Sequence, residues 1–291
     1  MTLREDLLGR CRFPSAGTVV TAAVSGGADS LALLLLAVDA GLAVTAVHVD
    51  HGLRPGSADE AALVGSVASS VGAAFRTETV AVAPGPNLEA RARAARYAVL
   101  PPDVLTGHTL DDQAETVLLN LLRGAGIDGL AGMRDDGRRP LLALRRSETV
   151  ALCAASGLVP FADPSNLDPV FRRNRVRHEL LPLLDDIAAR DIAPVLARQA
   201  GLLADTSDLL TELAASLDPT DCRALRASPP PLAQVALRAW LRPVADGHPP
   251  DAATVDRVLE VVRGTAVATQ VGRGWTVRRS ANRLTLLPPS P

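Results

Sequence analysis

Asp112 and Glu115 lie three residues apart at the start of a predicted helix that follows His108. That spacing puts both carboxylates on one helix face near its N-terminus. Acidic residues there commonly just complement the helix dipole. Beside a phosphate site the same pair can bind Mg²⁺ or an ammonium group, with His108 joining it, and sequence physics leaves these readings level. A second candidate is Ser25-Gly26-Gly27-Ala28-Asp29-Ser30. Its glycines permit close backbone approach and positive φ, and the N–H groups of a following helix start suit a phosphate. Asp29 and Ser30 can cap that helix or hold Mg²⁺ on the phosphates. A third is the run Arg172-Arg173-Asn174-Arg175-Val176-Arg177-His178. Such a run is usually a solvated helix start, and it can equally grip an RNA backbone through forked guanidiniums.

These groups need a scaffold that brings them together. Thr18 to Val24 is a β-branched apolar run that reads as a buried strand, and Leu31 to Val38 reads as a buried helix stopped by Gly41. Leu42 to Val49 is a second strand, running into Asp50-His51-Gly52-Leu53-Arg54. Ser57 and Glu60 have capping-box spacing for a helix to about Val71. Ala74 to Val82 alternates as a third strand, Asn87 can cap a helix from Leu88 to Leu100, and Asp103 to His108 is a short fourth strand. Thr109 then caps a helix from Leu110 to about Leu122. This alternation predicts a doubly wound, mainly parallel α/β sheet with ligands at the carboxyl ends of its strands. The glycine-rich loop, the segment from His48 to Arg54 and the segment from His108 to Glu115 all fall at such ends. His48 taken alone reads as a packed core histidine, and Arg91, Arg93 and Arg96 read as a solvated helix face.

Composition narrows the classes. The 291 residues suffice for one large domain and a smaller one, expected over 1–188 and 189–291. No apolar run reaches membrane-spanning length, and the opening residues do not resemble a signal peptide. Cys11, Cys153 and Cys222 are isolated, so no disulfide framework or paired-cysteine site is expected, which fits a reduced, cytoplasmic setting. Thirty basic residues against 32 acidic ones argue against a uniformly basic nucleic-acid binder. Charge is local instead. Between Arg123 and Glu179 ten arginines face seven acidic residues, and every basic residue of the chain is arginine.

The loop has neither Walker nor dinucleotide-fold spacing. It resembles Ser-Gly-Gly-x-Asp-Ser, the PP-loop of the ATP pyrophosphatases, which split ATP between its α- and β-phosphates. The wider set resembles tRNA(Ile)-lysidine synthetases: His48-Val-Asp-His-Gly-Leu-Arg54, Asn87-Leu-Glu-Ala-Arg-Ala-Arg93, Gly107-His-Thr-Leu-Asp-Asp-Gln-Ala-Glu-Thr116, Asp163-Pro-Ser-Asn166 and Arg173-Asn-Arg-Val-Arg177, over about residues 19–185. The resemblance implies adenylation, from ATP, of the wobble cytidine of a CAU-anticodon tRNA(Ile), followed by attack of free L-lysine. It implies ATP at Ser25 to Ser30 with His48 and Asp50, Mg²⁺ held by Asp29, and lysine at Asp112 and Glu115 with His108. Arg93 and Arg96 would meet phosphates or the lysine carboxylate. Arg172, Arg173, Asn174 and Arg177 would lie near the tRNA.

The remainder reads as a smaller helical domain with a terminal β-hairpin. Arg190 to about Leu217 is a long helix, Pro229-Pro230-Pro231 opens another, Asp251 caps a third, and short strands surround Gly272 and Gly274. Trp240 and Trp275 are expected in its core. The resemblance implies a tRNA-contacting domain of a short-form enzyme, with a homodimer as a plausible assembly. Competing readings are a sulfur-transferring tRNA enzyme of the same superfamily, a small-molecule synthetase, and a non-catalytic ATP-binding module. The isolated cysteines weigh against the first, and the acidic pair and arginine cluster against the last.

Overall fold

The computed structural model describes residues 2–50, 57–81, 88–245 and 250–289. The motif residues His51, Gly52, Leu53, Arg54 and Asn87 lie outside the described residues. The chain divides into two compact units, Met1–Gly201 and Leu202–Pro291.

In the first unit a short helix α1 (Leu3–Arg10), capped by Thr2, precedes strand β1 (Val19–Ala23). Helix α2 (Ala28–Asp39), strand β2 (Ala43–Asp50), helix α3 (Ser57–Ser70), strand β3 (Ala74–Thr79), helix α4 (Leu88–Val99), strand β4 (Leu105–Thr106) and helix α5 (Leu110–Leu122) follow in strict alternation. All three strand pairings are parallel, in the order β3-β2-β1-β4. The chain winds outward from β1 to β3 and returns on the other side of β1 as β4. The reversal point therefore lies between β1 and β4, where this architecture opens a ligand crevice at the carboxyl ends.

Helix α2 is apolar all round because it is covered all round: Leu31, Leu33, Leu34 and Leu36 are fully buried. Burying each contributes about 1.5–3 kcal/mol. Val47, Val49, Leu100, Val104 and Tyr97 form a separate cluster between β2 and α4.

Beyond α5 come the one-turn helix α6 (Ile127–Leu130) and helix α7 (Arg146–Ala155), which packs against α2. A 3₁₀ turn over Pro164–Leu167 leads to helix α8 (Arg172–Arg175), a π-helical segment over Val176–Leu180, and helix α9 (Leu181–Ala188). Pro182 explains the π turn. It has no N–H for the carbonyl four residues back, and its ring would strike that carbonyl in an ordinary helix. The N–H of Leu181 instead reaches back five residues to Val176, widening the turn. Helix α10 (Ala193–Ala214) runs through the boundary between the units.

The second unit holds helices α11 (Cys222–Ala227), α12 (Pro230–Leu241) and α13 (Ala252–Arg263) and an antiparallel sheet of β5 (Ala268–Gly272), β6 (Trp275–Ser280) and β7 (Arg283–Leu287). Asp251 caps α13, as its position predicts, by accepting the Thr254 N–H at 2.7 Å. Leu237, Leu241, Val258, Val261 and Val277 form the core of this unit, with Trp240 and Trp275 packed against it. Both tryptophans are half-buried at the edge of that core rather than inside it.

Candidate active site

The glycine-rich loop sits where β1 hands over to α2. Helix α2 starts inside the motif, at Ala28, three residues before the apolar run that announces it. Gly26 has φ of +76°, a conformation that costs glycine nothing. Ser30 turns inward: its hydroxyl donates to the Gly27 carbonyl at 2.9 Å and accepts the Ser25 N–H at 3.1 Å. That closes the loop into a fixed ring. Gly107, after β4, passes so close that a Cβ there would lie 2.6 Å from the Asp29 carbonyl oxygen. Ser25, Gly27, Ala28, Asp29, Ser30, His48, Arg96, His108, Asp112 and Arg177 all line one cavity of about 480 Å³. The three strand ends that the sequence singles out therefore converge.

Asp29 does not stand free. Its carboxylate accepts the Thr149 hydroxyl and the Arg146 Nε–H, the latter at 3.3 Å. Burial raises its pKa against the opposing pull of Thr149 and Arg146. Both partners come from the first turn of α7, a helix the sequence reading leaves unmarked. Arg146 continues to the acidic pair, donating to Asp112 Oδ1 at 2.9 Å and Glu115 Oε1 at 3.1 Å. One guanidinium thus touches the glycine-rich loop and the carboxylate pair together. Asp111 fixes its base: Asp111 Oδ2 accepts the Arg146 backbone N–H at 2.7 Å, and Oδ1 accepts Arg145 Nη2–H at 2.9 Å.

Glu115 is fully buried and Asp112 nearly so. Asp112 Oδ2 accepts the backbone N–H and the hydroxyl of Thr109, at 2.8 and 3.0 Å, in the capping arrangement that its place in the first turn predicts. Asp112 Oδ1 takes a second guanidinium from Arg173 at 2.9 Å. Glu115 receives Nε–H groups from Arg173 at 2.6 Å and Arg177 at 2.7 Å, and Arg177 Nη2–H at 3.2 Å. Burial would raise the Asp112 pKa, but Arg146, Arg173 and the Thr109 N–H together hold it below the ordinary value. Buried carboxylates stay ionised when paired in this way.

The other expected residues distribute as follows. His48 is buried in β2; its Nδ1 lies 3.0 Å from the Val24 carbonyl, which fixes the proton on that nitrogen, and Nε2 lies 3.9 Å from Glu60. Asp50 closes β2 outside the cavity lining. Arg96 lines the cavity from α4, while the side chain of Arg93 lies outside the described residues. Arg172 is exposed. Asn174 is buried, donating to the carbonyls of Ser165 at 2.7 Å and Asp168 at 2.9 Å, and so clamps the Asp163-Pro164-Ser165-Asn166 turn. Arg173 and Arg177 point inward to the acidic pair.

Arg146 and Thr149 escape the sequence reading. Glu148 three residues after Arg145, followed by Val150, Leu152 and Cys153, was the available signal for a helix start. The three cysteines form no disulfide. All three are free, and burial pushes Cys11 up to about 12 and Cys153 up to about 11, the wrong direction for a reactive thiolate.

Among the described residues, no three His, Cys, Asp or Glu side chains converge on a metal position. Mg²⁺ on a nucleotide needs only one or two carboxylates, because phosphates and water complete its shell. Asp29 fits that demand. No helix among the described residues is long and apolar enough to cross a membrane.

A parallel sheet whose crevice carries this loop defines a PP-loop ATP-binding protein, and residues 8–184 match the family described as PP-loop domain. Residues 221–285 match a second family, the TilS substrate binding domain. The chain is 42% identical to the tRNA(Ile)-lysidine synthase of Nocardia farcinica, covering 94% of this chain and 93% of that one. It is 45% identical to the enzyme of Rhodococcus erythropolis over 76% and 73% of the two chains. The chain belongs to the tRNA(Ile)-lysidine synthase family. Among solved structures, the U34-tRNA thiolase NcsA from Methanococcus maripaludis has the same fold, with TM-score 0.54 and 18% identity over 69% of this chain and 77% of that one.

Proposed function

We propose that this protein adenylates the wobble cytidine of CAU-anticodon tRNA(Ile) and joins L-lysine to its C2, releasing AMP and pyrophosphate. The observation that carries the reading is the shared cavity: Ser25, Gly27 to Ser30 of the loop, Asp112 and Arg146 line one space of about 480 Å³, and Glu115 stands behind Arg146 at 3.1 Å. Two substrates with opposite charge need such adjacency.

The loop N–H groups and the N-terminus of α2 cradle the ATP phosphates. Asp29 would hold Mg²⁺, which when bound neutralises charge on the phosphates. Arg146 and Arg177, both in the cavity lining, supply guanidiniums for the α-phosphate as the cytidine O2 displaces pyrophosphate. Transfer of AMP to O2 makes C2 electrophilic and gives it a leaving group. The lysine amine then attacks C2, and the bond from C2 to the adenylated oxygen breaks as AMP departs. Asp112 and Glu115 orient the lysine by its ammonium, and His108, whose Nδ1 lies 2.8 Å from the Thr106 hydroxyl, stands at the same wall to accept a proton. The unit from Leu202 to Pro291 would contribute tRNA contacts.

The test measures pyrophosphate release from ATP and Mg²⁺ with unmodified CAU-anticodon tRNA(Ile), with and without radiolabelled lysine. Release that requires this tRNA, with label entering the RNA, is expected. Release without lysine incorporation would leave adenylation standing and the nucleophile wrong. Release independent of tRNA would reduce the reading to ATP binding.

A further inference from the structure

The acidic pair is saturated. An ionised carboxylate offers about four lone-pair positions. Asp112 takes four donors, two from Thr109 and one each from Arg146 and Arg173. Glu115 takes four as well, one from Arg146, one from Arg173 and two from Arg177. Six of these eight bonds come from guanidiniums. The charges also balance, since Asp29, Asp112 and Glu115 face Arg146, Arg173 and Arg177. A lysine ammonium entering this cluster finds every acceptor taken, and it would leave a buried site with one uncompensated positive charge. Such charge is costly in a place where Glu115 has no exposure.

One guanidinium must leave, and the geometry selects which. Arg173 is not in the cavity lining. Arg177 lines the cavity but is held through both Nε and Nη2 by Glu115. Arg146 lines the cavity, makes one contact of about 3 Å to each member of the pair, and has its third contact, the longest at 3.3 Å, on Asp29 of the nucleotide loop. Its backbone is fixed by Asp111, so the side chain can swing on a stationary base.

We propose that Arg146 is an exchange residue, released from Asp112 and Glu115 to the phosphates when ATP arrives, so that lysine binds tightly only to the nucleotide-loaded enzyme. The inference rests on the placement of lysine at Asp112 and Glu115 proposed above. ATP brings several negative charges beside the loop, and its phosphates offer a planar guanidinium a forked partner. The swing empties one acceptor position on Asp112 and one on Glu115, side by side, and frees Asp29 Oδ2. The ammonium replaces the departed charge, and neutrality is kept. Arg146 is here a positioning residue that orders the two substrates. Lysine is thereby kept out of a site that holds no nucleotide.

The experiment measures binding of radiolabelled L-lysine to the full-length protein by equilibrium dialysis, without tRNA, with and without Mg²⁺ and α,β-methylene-ATP, which cannot release pyrophosphate. Wild-type protein is expected to bind lysine at least about tenfold more tightly with the nucleotide, and lysine to tighten the nucleotide by the same factor. Arg146→Ala is expected to bind lysine equally with and without nucleotide. Equal lysine affinity in the two states of the wild type would overturn the exchange, whatever the variant does. A preserved ratio in folded Arg146→Ala would overturn the assignment to Arg146. Asp112→Asn with Glu115→Gln separates the two readings: unchanged lysine binding there would remove the lysine site itself, whereas lost binding combined with a flat wild-type ratio would remove the exchange alone.

Discussion

At the scale of single residues, the site is a compact electrostatic cluster whose members cannot be changed independently. Glu115 is the clearest case, because four hydrogen bonds from three arginines end on a side chain with no exposure. Glu115→Gln keeps the shape and removes the charge that holds those guanidiniums. The expected cost is about 3–5 kcal/mol of stability, the usual consequence of breaking a buried pair, together with loss of lysine incorporation. Thermal melting and the labelling assay check the two effects separately; a variant as stable as the wild type would contradict this account of the cluster. The residue types Asp112, Glu115, Arg173 and Arg177 were legible in the sequence as chemistry. Their mutual pairing was not, because Arg173 and Arg177 lie about sixty positions from the acids, and an arginine-rich run reads first as a solvated face.

At the scale of elements, two close approaches set the site. β4 is only two residues long, and Gly107 carries its end against the first turn of α2. A methyl group at 107 meets backbone atoms of Asp29 and Ser30 at 2.6–3.0 Å, and backbone cannot rotate away. Gly107→Ala is expected to cost about 1–3 kcal/mol from overpacking and to weaken ATP binding at least as visibly as it lowers the melting temperature. Nucleotide affinity equal to wild type would count against the loop being set by this contact. The π turn ahead of α9 is the second device. Pro182→Ala restores the missing N–H and favours an ordinary helical turn, which rotates Arg177 away from Glu115. Lysine incorporation is expected to fall while thermal stability holds or rises, and an unaffected activity would show that the widened turn has no part in aiming Arg177. The strands and helices of the sheet follow from apolar periodicity, and their bounds agree with the sequence reading within a few residues. Helix α7 has a weaker signature, and with it went Arg146 and Thr149.

At the scale of the whole molecule, the charged cluster links the site to acid stability. Asp111 and Asp112 are both held below their ordinary value near 3.8, against burial, by Arg145, Arg146 and Arg173. A depressed pKa stabilises the fold fully above that ordinary value, and the contribution is lost as the pH falls through the lower folded value. Asp29 works in the opposite sense: burial raises its pKa, so its contribution is present in acid and is lost as the pH rises through the folded value. The contributions of Asp111 and Asp112 are therefore expected to decline below about pH 4. Asp111→Asn should be less stable than wild type at pH 7, with the gap closing as the pH drops below about 4. Melting curves across that range decide it, and a gap of constant size would mean that Asp111 does not act through its charge.

The sequence by itself determined the sheet, its alternation, the loop at the end of β1 and the residue types that gather at the candidate site. Those properties are local: periodicity selects strand or helix, and glycine and acid spacing select the turns and helix starts. The tertiary structure alone decided how those residues meet. It put α7 against α2, turned Asn174 inward to clamp a turn, and placed one arginine between the glycine-rich loop and a carboxylate pair with every acceptor filled. The reason is physical. A buried carboxylate remains charged only where guanidiniums from distant segments reach it, and which segments do so is settled by packing.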